Sequence, residues 1–314
     1  MSTAPSGEQF ELVSGDQQAT IVEVGGGVRA YTHAGRAVLQ DYPLTAMCDG
    51  AHGAPLVPWP NRLGDGRYRF AGVDYRVALT EPEKSNAIHG FLRWSAWRPV
   101  RRAPDRIALA IRAHPRQGYP FTLDVEVEYG LDSNGLSVRT TATNVGDAPC
   151  PYGCGQHPYL SPGDALIDEC LLEVAAGTRI RTDPDRQLPV GIDAVAGTEF
   201  DFRQPRRLGS LRIDDAFTDL DRDPQGKAWV RLHRPDTWTA ELWVDRSYSL
   251  VELYTADTLT PARRRRGLGV EPMTCPPNAF QTDDRVRTLH PGEAAVAEWG
   301  VRIVPRNTCV SANL

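Results

Sequence analysis

Residues 122–129, TLDVEVEY, put Leu123, Val125, Val127 and Tyr129 on one parity and Thr122, Asp124, Glu126 and Glu128 on the other. A strand turns successive side chains to opposite faces, so this alternation predicts a strand with one apolar face and one wet face. The turn-prone DSNG at 132–135 follows, and LSVRTTATNV then resumes with β-branched residues; the two segments read as a hairpin. Working outward, ATIVEVGG (19–26), IALAIRAH (107–114), KAWVRLHR (227–234), AELWVDRS (240–247) and AAVAEWGVRIV (294–304) are further strands rich in β-formers. The GGG at 25–27 reads as a bulge or turn after the first of these.

The 28 glycines and 25 prolines recur along most of the 314 residues and leave few windows long enough for a helix. No segment carries a sustained 3.6-residue apolar period, and no short repeat is visible. These features predict an all-β chain built as a large antiparallel β-sandwich, a single domain over 1–314 with roughly residues 1–15 as a polar N-terminal extension.

Hydrophobic residues at 41% and charged residues at 24% are the composition of a soluble globular protein with a large core. A formal charge of -5 provides no basic surface for a phosphate backbone, which argues against a nucleic-acid partner. The start, MSTAPSGEQFELVSGD, lacks a basic and apolar leader, and no run is apolar enough to span a bilayer, so no membrane is expected and a cytoplasmic location is. Cys48, Cys150, Cys154, Cys170, Cys275 and Cys309 are scattered, which predicts reduced thiols. Cys150 and Cys154 lack a second pair at zinc-site spacing and read as small core residues, so no metal is expected. Phosphate-loop, dinucleotide, HExxH and GxSxG patterns are absent. The Arg263–Arg266 run reads as a solvated loop.

Five stretches combine polar side chains with turn chemistry. PWPNRLGDGRYRF carries Asn61 and Arg62, whose forked donors suit ligand hydroxyls; NAIHGFLRWSAW carries His89 near Trp94 and Trp97, which could face a sugar or fill a core. GQHPYLSPGD carries His157, an acid, a base or a histidine satisfied in a turn. LRIDDAFTDL carries Asp214 and Asp215, a pattern typical of a turn or helix start; GVEPMTCPPNAF carries Glu271, held before a proline as an inert carboxylate or a rigid base.

In order, PNRLGDGRYRF, NAIHGFLRW, GQHPYL, DDAF and EPMTCPPNAF resemble the aldose 1-epimerase (galactose mutarotase) family, and NAIHGFLRW is similar to its broader branch. The resemblance implies the galactose mutarotase-like supersandwich, a monosaccharide substrate, no cofactor, and a monomer or homodimer. It implies His157 as general acid and Glu271, ionised at neutral pH, as general base, the two flanking the sugar from opposite sides. His89 would hold the ring oxygen, with Arg62 and Asp214 binding hydroxyls and Asn61 and Trp94 beside them. The implied activity is exchange of α and β anomers of an aldohexose. A phosphorylated or sulfonated hexose, a non-catalytic sugar-binding protein and a two-carboxylate glycosidase are the alternatives.

Overall fold

The structure is a computed structural model that describes residues 4–306. Strand Leu123–Asp132 pairs with Gly135–Asn144 in antiparallel register from Leu123 opposite Asn144 to Asp132 opposite Gly135, which is the predicted hairpin. Leu123, Val125, Val127 and Tyr129 are buried, whereas Asp124, Glu126 and Glu128 remain partly accessible. On the wet face Arg112 meets Asp124 and Arg101 meets Glu126, each at 2.6 Å. Such exposed pairs contribute little to stability, and their role is to keep that face polar.

The hairpin lies in a nine-stranded antiparallel sheet, where Ala294–Pro305 and Trp238–Val244 extend the order beyond Gly135–Asn144. A second, twelve-stranded sheet contains, as successive neighbours, Arg36–Leu39, Tyr159–Leu160, Leu268–Met273, Leu250–Tyr254 and Asp214–Leu220. One apolar core joins the two, taking Leu123, Val125, Val138 and Trp299 from the first sheet and Phe10, Ile21, Val251, Leu253 and Val270 from the second. The fold is therefore the expected large antiparallel β-sandwich.

Alternation along the second sheet decides where the chemistry goes. Val251 and Leu253 enter the shared core, so Glu252 and Tyr254 turn to the opposite face; Leu268 and Val270 do the same and send Glu271 outward. Phe217 enters the core, which turns Asp214 to the face of Glu271 and leaves Asp215 on the other parity, paired with Arg179 at 3.2 Å.

Several expectations are corrected. Within the described part of the expected polar extension over roughly residues 1–15, Gln9–Ser14 is a strand paired with Gln17–Val22, with Phe10 and Leu12 buried. Asp214 and Asp215 begin a strand rather than a turn or helix. The arginine run is not simply solvated: Arg265 is buried, 2.6 Å from Asp168 and 3.1 Å from Asp257, and Arg263 is 3.1 Å from Asp49. Arg264 and Arg266 are exposed. Gly25 and Gly26 do form a turn, with φ of 88° and 66°, and a Cβ on Gly26 would strike the buried Trp97 ring at 2.7 Å. Cys150, Cys154, Cys170 and Cys275 are buried free thiols and Cys48 a half-buried one; Cys309 lies outside the described residues. No helix of the described residues is long and apolar enough to cross a membrane.

Candidate active site

A cavity of about 550 Å3 opens on the outer face of the second sheet. Asn61, Arg62, His89, His157, Asp214 and Glu271, six of the seven residues proposed from sequence, line it. That volume suits a single small ligand.

His157 sits between the short strands Gly155–Gln156 and Tyr159–Leu160, fixed by its main chain: its N–H donates to Ala54 O and its carbonyl accepts from Gly53 N–H. Tyr159 stacks on the imidazole at 5.0 Å between centroids, and Tyr254 meets it edge-on. The ring is thereby aimed at Glu271, with Nε2 3.1 Å from Oε1. Both side chains are buried. The two side chains expected to act as acid and base thus lie side by side on the cavity floor, and the expectation that they flank a sugar from opposite sides is corrected.

Burial disfavours charge on both partners. It lowers His157 from 6.5 to about 3, with the Arg93 and Arg62 charges adding to the effect. Burial, reinforced by Asp214, raises the Glu271 carboxyl well above 4.5, against the opposing pull of Arg62. The lowered imidazole and the raised carboxyl place a proton shared by this pair on the carboxyl side. Moving it along the 3.1 Å contact gives imidazolium and carboxylate.

These shifts have opposite consequences for stability. Between pH 6.5 and about 3 the unfolded chain binds a proton at His157 that the folded chain does not, so this residue lowers stability as pH falls through that window. Glu271 contributes stability that is full below about 4.5 and is lost as pH rises through its raised value. His157→Asn, which cannot take up the proton, is expected to flatten the fall in urea midpoint between pH 6.5 and 3. Parallel curves for variant and wild type would contradict this.

His89 approaches from a separate two-stranded ribbon, Arg62–Gly64 with Asn86–Ile88. Its backbone is left-handed, with φ 62°, and its ring lies 5.3 Å from that of His157. Asn61 N–H donates to His89 Nδ1 at 3.1 Å. Nδ1 must then carry the lone pair, so neutral His89 bears its proton on Nε2 and can donate to a ligand. Burial, and then the His157 and Arg93 charges, hold His89 well below its usual pKa, which favours this neutral form.

The same tautomer bears on metal binding. Ligand atoms of His89, His157 and Glu271 lie within 4.8 Å of one another, a spacing that a cation could use. Ligation through His89 Nε2 would require either loss of the Asn61 hydrogen bond or an imidazolate, so the donor set fits a proton-donor site better than a metal centre.

Arg62 is gripped by Glu81, with Nε donating at 2.9 Å and Nη2 at 3.2 Å, and Nη2 lies 3.8 Å from Asp214. Although burial raises Glu81, the hydrogen bond and charge of Arg62 bring it below its usual range, so this grip is ionic. Gln187 donates to Asp214 and accepts from Lys84. Asn61 acts through its backbone and through Oδ1, which accepts from Arg62 N–H at 2.7 Å. Trp94 is the exception among the proposed residues: it is 50% exposed and lies off the cavity, beneath the Arg93 guanidinium at 5.4 Å. Glu81, Lys84, Gln187 and Tyr254 line the cavity without having been singled out as ligands from sequence. Only the run TEPEKSN, with its turn chemistry and mixed charge, offered a signal for the first two.

A family model described as aldose 1-epimerase matches residues 8–301. The chain is 32% identical over 291 residues to the Escherichia coli (strain K12) protein YihR, covering 92% of this chain and 91% of that one. It is 29% identical over 170 residues to the aldose 1-epimerase of the same organism, covering 52% of this chain and 48% of the relative. Among solved structures, a GalM/aldose epimerase homologue from C. elegans superposes with a TM-score of 0.84 at 20% identity, covering 96% of this chain and 99% of the other. A galactose mutarotase-like protein from Clostridium acetobutylicum gives 0.81 at 18% identity and 94% coverage of each chain. At those identities the structures share the fold.

Proposed function

The chain belongs to the aldose 1-epimerase family, and from that membership we propose that it exchanges the α and β anomers of an aldohexose by acid–base ring opening and reclosure. The observation that carries this reading is the 3.1 Å contact of His157 with Glu271 on the cavity floor. The C1 hydroxyl and the ring oxygen are bonded to the same carbon, so the groups that serve them must themselves be neighbours. Glu271 as carboxylate takes the C1 hydroxyl proton. The O–H electron pair becomes the second bond of the carbonyl, the bond from C1 to the ring oxygen breaks onto that oxygen, and His157 as imidazolium protonates it.

His89 Nε2–H donates to the oxygen on which negative charge develops, and Arg62 with Asp214 holds the remaining hydroxyls while C1 turns about its bond to C2. The reverse transfers then close the ring from the other carbonyl face, returning both protons. Polarimetry of freshly dissolved glucose and galactose anomers tests the proposal: relaxation faster than the spontaneous rate is expected. Saturable sugar binding without acceleration would instead identify a non-catalytic sugar-binding protein, and release of reducing sugar from glycosides would identify a glycosidase.

Arg62→Lys retains the charge but not the fork that Glu81 holds in place. It is expected to raise KM about tenfold with kcat little changed, since binding hydroxyls equally in ground and transition states affects KM alone. A lower kcat at unchanged KM would move Arg62 into the chemistry.

An anionic hexose is the second reading, favoured by Arg93. This half-buried guanidinium lines the cavity and forms no ion pair among the described residues. Burial lowers its pKa, so an incoming phosphate or sulfonate would relieve an unfavourable situation. Arg93→Met should then slow exchange of a phosphorylated or sulfonated hexose at least tenfold more than that of the free sugar; equal effects on both would remove this reading.

A further inference from the structure

Glu252 is a buried carboxyl that the mechanism above does not use. It stands directly opposite Glu271 in the antiparallel register of Leu250–Tyr254 with Leu268–Met273, and both side chains leave the sheet on the cavity side. Directly opposed residues bring their Cβ atoms within about 5 Å. Glu252 is 1% exposed and Glu271 2%. Each has one carboxyl oxygen, Oε2, that is buried with no hydrogen-bond partner.

Two adjacent buried carboxyls with unpartnered oxygens are poorly served as two anions. The charges around Glu252 are Asp214 on the same face and Asp215 on the opposite face of one neighbouring strand, Glu271 on the other strand, and Arg62 from the ribbon across the cavity. Asp215 is committed to Arg179 and Arg62 to Glu81, so little positive charge is left over for the glutamates. Glutamine would fill the same space with its own donor, so packing alone does not call for an acid here.

We propose that Glu252 and Glu271 form a coupled carboxyl pair across the two strands, in which Glu252 keeps its own proton so that the pair carries a single negative charge when Glu271 passes its proton to His157. Glu252 is a positioning residue that acts through Glu271. Its own carboxyl is kept well above the usual range by burial and by Asp214, Glu271 and Asp215, as a proton-holding group requires. With the proton on Glu252, the negative charge of the pair sits on Glu271, beside His157. When Glu252 ionises as well, repulsion makes Glu271 a stronger base. Its basicity is thus set from the strand behind it.

The inference rests on Glu271 being the base, but its test can be read without activity. Side-chain carboxyl 13C shifts are followed with pH in the wild type, Glu252→Gln and Glu271→Gln. Coupled groups titrate as a unit. The Glu252 midpoint should fall by about one pH unit or more in Glu271→Gln, and the inflection that Glu252 ionisation adds to the Glu271 shift at higher pH should vanish in Glu252→Gln. The second variant reports the same coupling if the first fails to fold. In kcat/KM of Glu252→Gln the acid limb should stay in place while the change that accompanies Glu252 ionisation at higher pH disappears, a pattern that mere loss of packing would not produce. An unmoved Glu252 midpoint in Glu271→Gln, together with an unaltered Glu271 titration in Glu252→Gln, overturns the pair even if the wild type exchanges anomers. Coupled midpoints in a wild type that exchanges no anomers would retain the pair and remove the epimerase reading.

Discussion

Glu271→Gln is expected to slow catalysed anomer exchange by about 10²–10⁴-fold while leaving the protein folded, and His157→Asn to do the same. Glutamine matches the shape of glutamate and can still face His157 Nε2, but it cannot accept the C1 hydroxyl proton. Asparagine similarly cannot deliver a proton to the ring oxygen. Because the two groups share one contact at 3.1 Å, they act as a unit, and the double variant should be scarcely slower than the worse single one. Strictly multiplicative losses would mean that the two groups act independently. Folding of the variants can be verified by near-ultraviolet circular dichroism, since Tyr159 and Tyr254 pack directly against His157.

Gly90→Ala is expected to reduce folding stability by about 3 kcal/mol, combining roughly 1 kcal/mol for a left-handed backbone with about 2 kcal/mol for overpacking. Gly90 has φ 60°, and an added Cβ would lie 1.9 Å from Val57 O. That carbonyl is not free to move, because Phe91 N–H donates to it at 3.1 Å. The strain falls on the residue next to His89, whose own φ is 62°, so kcat should fall beyond what the unfolded fraction explains. Urea denaturation beside kinetics on the folded fraction measures both effects. A stability loss below about 1 kcal/mol would mean that this turn adapts more freely than the close approach implies.

The sequence exposed the sandwich where one sheet face meets water. TLDVEVEY alternates because Asp124, Glu126 and Glu128 look outward, and the hairpin after it is found in the predicted register. Leu250–Tyr254 and Leu268–Met273 carry Glu252 and the proposed base Glu271, yet they offered no such signal. Every residue in both is buried, one face in the core and the other beneath the cavity, so their solvent pattern is uniform. Glu252 was missed for the same reason. A lone acid in VELYT looks like an exposed strand position until its register opposite Glu271 is known.

The catalytic candidates were legible through resemblance rather than spacing. His89, His157 and Glu271 are widely separated in sequence, and no local pattern could require His157 Nε2 to meet a carboxylate. Nor could sequence reveal the direction in which burial moves the two groups, because that depends on what covers them. Trp94 shows the converse error: a tryptophan near a histidine suggested a sugar platform, but the turn after His89 sends the ring out of the cavity and toward solvent. Arg265 shows another, since a run of four arginines conceals which one is drawn inward by Asp168 and Asp257.

Two-dimensional exchange NMR on an equilibrium mixture of aldohexose anomers measures the proposed reaction without any coupling enzyme or optical change. With catalytic amounts of the wild-type protein, cross-peaks between the α and β anomeric protons should appear within mixing times at which the sugar alone gives none, and they should vanish with folded Glu271→Gln. Cross-peaks of undiminished intensity with that variant would contradict the assignment of the base. Their absence with the wild type, on free and anionic hexoses alike, would contradict the epimerase account itself.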